Sequence, residues 1–171
     1  MTMKATLEFS ELRDWQDFEN LVAEYFRQTK AEKNIIDVEV LPSGVGGDGG
    51  RDILVTFEMT DSIRTFKRKW VVQCKFYEGA VSKSRLDKIN IPTLIHEHKA
   101  TGYLLICKGE VSSTVSLMFE MLTRDCGLGY SYIIWNGRQL KSMIEVKPLL
   151  VRQFFPKHHS YLQAKERRLS K

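Results

Sequence analysis

Residues 69–77 read KWVVQCKFY, and this stretch decides how the chain of 171 residues is organised. Side chains alternate between the two faces of a strand, so Trp70, Val72, Cys74 and Phe76 share one face while Val71, Gln73 and Lys75 share the other. An amide and an amine therefore project to the same side, one pleat apart, inside an otherwise apolar run. Just upstream, RDILVTF (51–57) alternates in the same way, with Ile53, Val55 and Phe57 on one face, and Ile35 to Leu41 reads as an earlier strand. Between them lies PSGVGGDGG, with five glycines among the eight residues from Ser43 to Gly50. Residues 58–69 read as an irregular basic hairpin connection between the second and third strands.

The flanks complete an α/β pattern. Asp14 stands as an N-cap before WQDFENLVAEYFRQ, where Trp15, Phe18, Leu21, Val22, Tyr25 and Phe26 fall on one helical face and Glu19 lies at its edge. Downstream, SRLDKINIPTLIHEHK (84–99) reads as helical, interrupted or restarted at Pro92. YLLIC (103–107) and YSYIIW (130–135) read as strands covered on both faces, separated by a serine-capped helix that ends at Gly127. Asn136-Gly137 leads into a last amphipathic helix of roughly ten residues. The order predicts a central mixed sheet with helices on both faces. Residues 1–150 are expected to form one domain, and 151–171 a basic tail that is either a surface helix or the start of a linker.

Composition narrows the function classes. Hydrophobic residues make up 43% and charged residues 27%, values of a soluble globular domain, and the length suits one such domain without disulfide or metal staples. No apolar run approaches a membrane span and the N-terminus lacks a secretory h-region, which predicts a cytoplasmic protein without membrane association. Cys74, Cys107 and Cys126 have neither CxxC nor CxxH spacing and stand apart from His96, His98, His158 and His159, which argues against structural zinc. The net charge of +5 is unevenly placed: residues 1–61 sum to −7, 62–109 to +7, 110–151 to zero and 152–171 to +5. Such a division suggests a polyanion-facing surface beside a carboxylate-rich one, although Arg64, Lys67, Arg68 and Lys69 also suit a solvated hairpin.

The glycine loop is not a nucleotide cradle, because it runs into Arg51-Asp52 and a strand, whereas both common phosphate-loop patterns run into a helix. It lets the chain turn sharply and sets Asp52 at the mouth of the following strand. Three polar positions then stand out: Glu19, Asp52, and Gln73 with Lys75. Antiparallel pairing brings Asp52 to Gln73 and Lys75 if the register is right. Two carboxylates, the Gln73 amide oxygen and the Cys74 backbone carbonyl suit a hard cation such as magnesium, and Lys75 adds a charge that orients a water or stabilises a transition state. The plainer reading is a Lys75–Asp52 ion pair with Gln73 satisfying backbone groups; the joint pattern favours function. A catalytic cysteine is disfavoured, since Cys74 faces the apolar side.

At this point DFENLVAEYF, GGDGGRDILV and WVVQCKFY together resemble the Mrr-type branch of the PD-(D/E)XK restriction-endonuclease-like superfamily, in the variant where glutamine gives QxK. The resemblance spans most of residues 14–150 and implies an αβββαβ core. By position it carries the motif aspartate to Asp52, the glutamine to Gln73, the lysine to Lys75 and the acidic residue of the first helix to Glu19. It implies a deoxyribonuclease dependent on magnesium or manganese, of type IV restriction or anti-phage kind, with Asp52, Gln73, Glu19 and the Cys74 carbonyl on the metal. Arg51, Arg64, Lys67, Arg68, Lys69, Lys83 and Arg85 would contact the backbone of double-stranded DNA. Double-strand cutting implies a homodimer or higher assembly, and nucleases of this branch are often fused to a sensor or ATPase module. Because Gln73 removes one negative charge from the commoner pattern, a silent DNA-binding or dimerisation module of the same fold remains the alternative.

Overall fold

The computed structural model describes residues 3–43 and 50–170, and the expected glycine loop at 44–49 lies outside the described residues. The elements are α1 (Trp15–Gln28), β1 (Ile35–Pro42), β2 (Ile53–Thr60), β3 (Thr65–Lys75), α2 (Ile91–Glu97), β4 (Gly102–Cys107), α3 (Ser113–Asp125), β5 (Ser131–Trp135), α4 (Gly137–Glu145), α5 (Pro148–Phe154) and α6 (Pro156–Leu169). One sheet runs in the order β1-β2-β3-β4-β5. The first three strands pair antiparallel, and β3-β4 and β4-β5 pair parallel, so the sheet is mixed as expected. No helix among the described residues is long and apolar enough to cross a membrane.

Alternation along β3 builds the two cores. Val72 and Cys74 pack with Ile53, Val55, Leu104 and Ile106 against α1, α4 and α5, through residues such as Phe18, Leu21, Leu140 and Val151. Val71 packs with Tyr103, Leu105 and Cys107 against α2 and α3, through Leu94, Ile95, Val115 and Phe119. All six residues of β4 are buried, as its continuous apolar run predicts for a central parallel strand. Asp14 caps α1 by accepting from the Asp17 N–H at 2.9 Å. Trp15 departs from the expected apolar face: it is 53% exposed, while Phe18, one turn on, is fully buried.

Three local expectations need correction. Residues 58–69 are not irregular; β2 runs to Thr60, β3 begins at Thr65, and only 61–64 form the turn. There the Asp61 carboxylate accepts from the Ile63 and Arg64 N–H groups. The ribbon is solvated on both sides at this end, so its strands lack the apolar alternation by which strands are recognised. Residues 84–90 are not α-helical, and α2 starts at Ile91 with Asn90 accepting from the Thr93 N–H. Proline in the first turn needs no intrahelical partner, so Pro92 starts this helix instead of interrupting it. Finally, the tail after residue 150 is helical, one of the two expected alternatives, and what differs from a free surface helix or linker is that its first part is docked. Val151 and Phe155 are 2% and 0% exposed, and the Glu11 carboxylate accepts from the Lys157 and His158 N–H groups at the head of α6.

Candidate active site

Asp52 stands one residue before β2 and is held from three directions. Its N–H donates to the Val72 carbonyl at 2.9 Å, and its own carbonyl accepts from the Ser43 N–H at 2.7 Å and the Ser43 hydroxyl at 3.0 Å. Its carboxylate oxygen Oδ2 accepts from Gln73 Nε2 at 2.5 Å and from the Cys74 N–H at 2.6 Å. The Ile53–Val72 register therefore does what the sequence left conditional, and brings the acid after the glycine loop against the amide on β3.

Gln73 is 4% exposed, yet only its amine side is used. Its Oε1 is buried and has no hydrogen-bond partner among the described residues. An unmatched buried acceptor is destabilising by about 1–3 kcal/mol, so a group at this position with an unmet acceptor points to a ligand. Burial raises the Asp52 carboxyl above its ordinary range, while the Cys74 N–H, the Lys75 charge and the Gln73 amide pull it back down. Glu19 reaches the same region from α1. Burial first, and then the Asp52 carboxylate, push its carboxyl up to about 7 against the opposing pull of Lys75. Two carboxylates thus repel across one site, which is the condition a divalent cation relieves.

Lys75 is half-buried, with Nζ 6.0 Å from the centre of the Tyr77 ring. The plain ion-pair reading does not describe this geometry, because Gln73 and the Cys74 N–H hold the Asp52 carboxylate while Lys75 acts on it through space. Burial drives the Cys74 thiol far above its ordinary value, so it is no nucleophile. Among the described residues, no three His, Cys, Asp or Glu side chains gather into a metal cluster. Two carboxylates that feel each other's charge, and an unmatched amide oxygen on the residue that holds one of them, are nonetheless the kind of donors a hard cation takes. A groove of about 630 Å³ between α2 and α3, lined by Leu117, Met118 and Met121 among others, contains none of these four residues.

The expected cationic residues divide into two groups. Lys83 and Arg85 lie exposed on a short turn near the end of β3, with the Arg85 guanidinium 4.0 Å from the Tyr77 ring centre. Arg51 adjoins Asp52 and is half-buried. Arg64, Lys67, Arg68 and Lys69 stand towards the far end of β3, roughly 20–35 Å along the strand from Lys75. Arg68 turns to the α1 side, where it lies 5.3 Å from the Trp70 ring and donates to the Ser131 hydroxyl at 3.3 Å. Two further residues belong to the surroundings and escaped notice in the sequence. Ser43, just before the glycine loop, holds the Asp52 main chain, and Tyr77 extends the Gln73–Lys75 row by one more alternation. The period of two was the available signal for Tyr77; Ser43 has none without the fold.

Comparison with known proteins gives this geometry its family. A family described as restriction endonuclease, of the Mrr catalytic type, matches residues 11–144. Among solved structures, the MspJI restriction endonuclease in complex with a 27-mer oligonucleotide matches at a TM-score of 0.56 and 16% identity, covering 84% of this chain and 32% of that one. The DNA modification-dependent restriction endonuclease AspBHI matches at a TM-score of 0.51 and 13% identity, covering 96% of this chain and 43% of that one. At these identities the likeness is one of fold, and the chain spans less than half the length of either. No curated protein matches it. With the family match running from before α1 to α4, across the whole sheet, the chain belongs to the Mrr catalytic family of restriction endonucleases.

Proposed function

We propose that this protein is a metal-dependent DNA endonuclease whose site is the glutamine variant of the family motif: Asp52, Gln73 and Lys75, completed by Glu19. The observation that carries the reading is the Asp52 carboxylate fastened to the Gln73 amide and the Cys74 N–H while Gln73 Oε1 stays buried and unmatched. Asp52, Glu19, Gln73 Oε1 and the Cys74 carbonyl are the groups that would hold Mg²⁺ or Mn²⁺. When bound, such an ion supplies positive charge against the scissile phosphate and its leaving oxygen.

The remaining steps belong to the chain itself. Lys75 orients a water in line with the scissile bond. The water oxygen bonds to phosphorus as the P–O3′ bond breaks, one proton passes to solvent and the 3′ oxygen takes one up, leaving a 5′-phosphate and a 3′-hydroxyl. The ammonium of Lys75 offsets the charge that gathers on the phosphoryl oxygens in the transition state. The Gln73 amide and the Cys74 N–H keep the Asp52 carboxylate aimed while it is desolvated. Lys83, Arg85 and Arg51 would hold the backbone near the site, and the far group at Arg64 to Lys69 suits contacts between about half a turn and one turn of duplex away. The likeness to a solved endonuclease holding an oligonucleotide supports DNA as the substrate. Restriction of foreign DNA in the cytoplasm, by a homodimer that cuts both strands and answers to a sensor or ATPase module, is the setting this reading favours.

Plasmid nicking with Mg²⁺ or Mn²⁺, beside Asp52→Ala and Lys75→Ala, tests it. Both substitutions are expected to lower nicking by at least a hundredfold, and cutting that survives either one removes that residue from the mechanism. A silent DNA-binding module is the second reading, favoured by the glutamine at position 73, which leaves Asp52 and Glu19 as the two carboxylates of the site among the described residues. Duplex binding without any cutting in either metal would select it.

A further inference from the structure

We infer that Tyr77 and Arg85 form a clamp for the DNA phosphate adjoining the scissile one, with Arg85 as the binding group and Tyr77 as its positioning residue. This rests on the nuclease reading and adds to it a residue, Tyr77, and a place for Arg85. Tyr77 packs with the α2/α3 core, as Val71 does, so Gln73, Lys75 and Tyr77 continue one row on the same side of the chain. The Arg85 guanidinium lies 4.0 Å from the Tyr77 ring centre, and the Lys75 ammonium lies 6.0 Å from the same centre. The two cations therefore flank one ring, no further apart than those two distances together. Phosphates along one strand of a duplex advance by about 3.4 Å of helix axis per nucleotide, so neighbouring phosphates fall within that separation.

The turn that carries Arg85 is anchored on both sides, which makes its position a property of the fold. Val81 is 1% exposed and bridges Val111, and Leu86 is 3% exposed, with the Leu86 N–H donating to the Lys83 carbonyl at 2.8 Å. Arg85 itself is exposed, and among the described residues no carboxylate pairs with it. A guanidinium lying against an aromatic ring keeps its N–H edges free while losing rotamer freedom before binding, and a planar fork is what bidentate recognition of phosphate needs. Lysine offers the same charge without the plane.

The test measures binding of a fluorescein-labelled DNA duplex to the full chain by anisotropy, in EDTA and across a KCl series, with plasmid nicking in Mg²⁺ alongside. Arg85→Ala is expected to weaken binding about five- to tenfold and to lower the slope of log affinity against log salt by about one. Tyr77→Ala is expected to give the same loss and Tyr77→Phe to restore it. Arg85→Lys should stay within about twofold of Arg85→Ala, and the double variant should bind no worse than Arg85→Ala alone. A folded Tyr77→Ala protein with unchanged affinity and slope, or losses that multiply in the double variant, overturns the clamp. If Tyr77→Ala does not fold, the exposed Arg85→Lys variant decides, since wild-type binding there equally overturns it. A wild-type chain that binds no duplex at any salt sinks the nuclease reading and the clamp together, whereas normal binding and nicking with an unaffected Tyr77→Ala sinks the clamp alone.

Discussion

Replacing Gln73 by glutamate restores the carboxylate of the commoner motif, and the structure says what that does in the absence of metal. Gln73 Nε2 donates to Asp52 Oδ2 at 2.5 Å in a position that is 4% exposed. In Gln73→Glu that donor becomes a second carboxylate oxygen. Two like charges about 4 Å apart repel by about 4 kcal/mol at the effective dielectric of a protein site. The protein can escape by binding a proton between the two groups, which restores a hydrogen bond. Holding a proton at pH 7 on a group whose ordinary pKa is about 4.3 also costs about 4 kcal/mol. Both routes give the same figure, so destabilisation at pH 7 in EDTA is expected to be about 4 kcal/mol. For a domain of this size that lowers Tm by roughly 8–16 °C.

The sign with pH follows from the shared proton. The folded pair has a raised pKa, so the folded state holds a proton that the unfolded chain has released. The penalty is therefore absent below about pH 4, grows as pH rises, and shrinks to about 1 kcal/mol at pH 5. Thermal unfolding of the wild-type and Gln73→Glu proteins at pH 5 and pH 7, each with EDTA and with Mg²⁺, reads all of this. Magnesium is expected to recover most of the loss at pH 7, and to stabilise the variant more than the wild type. A variant that unfolds within 2 °C of wild type at pH 7 in EDTA, or that loses equally at pH 5, refutes the Asp52–Gln73 contact. A variant that magnesium does not rescue refutes the cation at this site.

Three other outcomes follow from the same coordinates. Because the Glu19 carboxyl sits near 7 when folded and near its ordinary 4.5 when unfolded, metal-free stability should fall as pH rises between those values and level off above; for a half-exposed group, solvent screening leaves about 1–2 kcal/mol of this. Glu19→Gln should then raise Tm by a few degrees at pH 8 and leave it unchanged at pH 4 while nicking falls, and an equal shift at both pH values would contradict the assignment. Gly50 has φ +106° and an added Cβ would stand 2.6 Å from Ile89, so Gly50→Ala is expected to lose about 2 kcal/mol by denaturant unfolding, with nicking reduced because Asp52 lies two residues on. Phe155→Ala should lose about 3–5 kcal/mol, since the ring is 0% exposed and packs 6.3 Å from Phe9, and a chain ending at residue 150 should not fold cooperatively by circular dichroism.

Much of this protein is written in local pattern. The period of two in KWVVQCKFY separates two cores that the structure keeps on opposite sides of β3, and the Asp14 cap and Asn136 turn each start a helix where they stand. Those features depend on neighbours in sequence, which is why they are legible there. The far end of the β2–β3 ribbon was not, because solvent on both faces removes the apolar alternation. The short turn at 83–85 was not either, since its shape comes from Val81 and Leu86 being anchored to distant elements.

The candidate site shows the same division. The sequence by itself named Asp52, Gln73, Lys75 and Glu19, since polar groups in an apolar run are conspicuous wherever the chain folds. Only the tertiary structure chose the register that puts Gln73 Nε2 on Asp52, left Gln73 Oε1 unmatched, and buried a carboxylate of α1 close enough to Asp52 for burial and that charge together to push it up. It also set most of the basic hairpin far from the site and Arg85 beside it. Hydrogen-bond partnership and through-space charge depend on distances between segments remote in sequence, and those distances exist only once the sheet has closed on its two layers of helices.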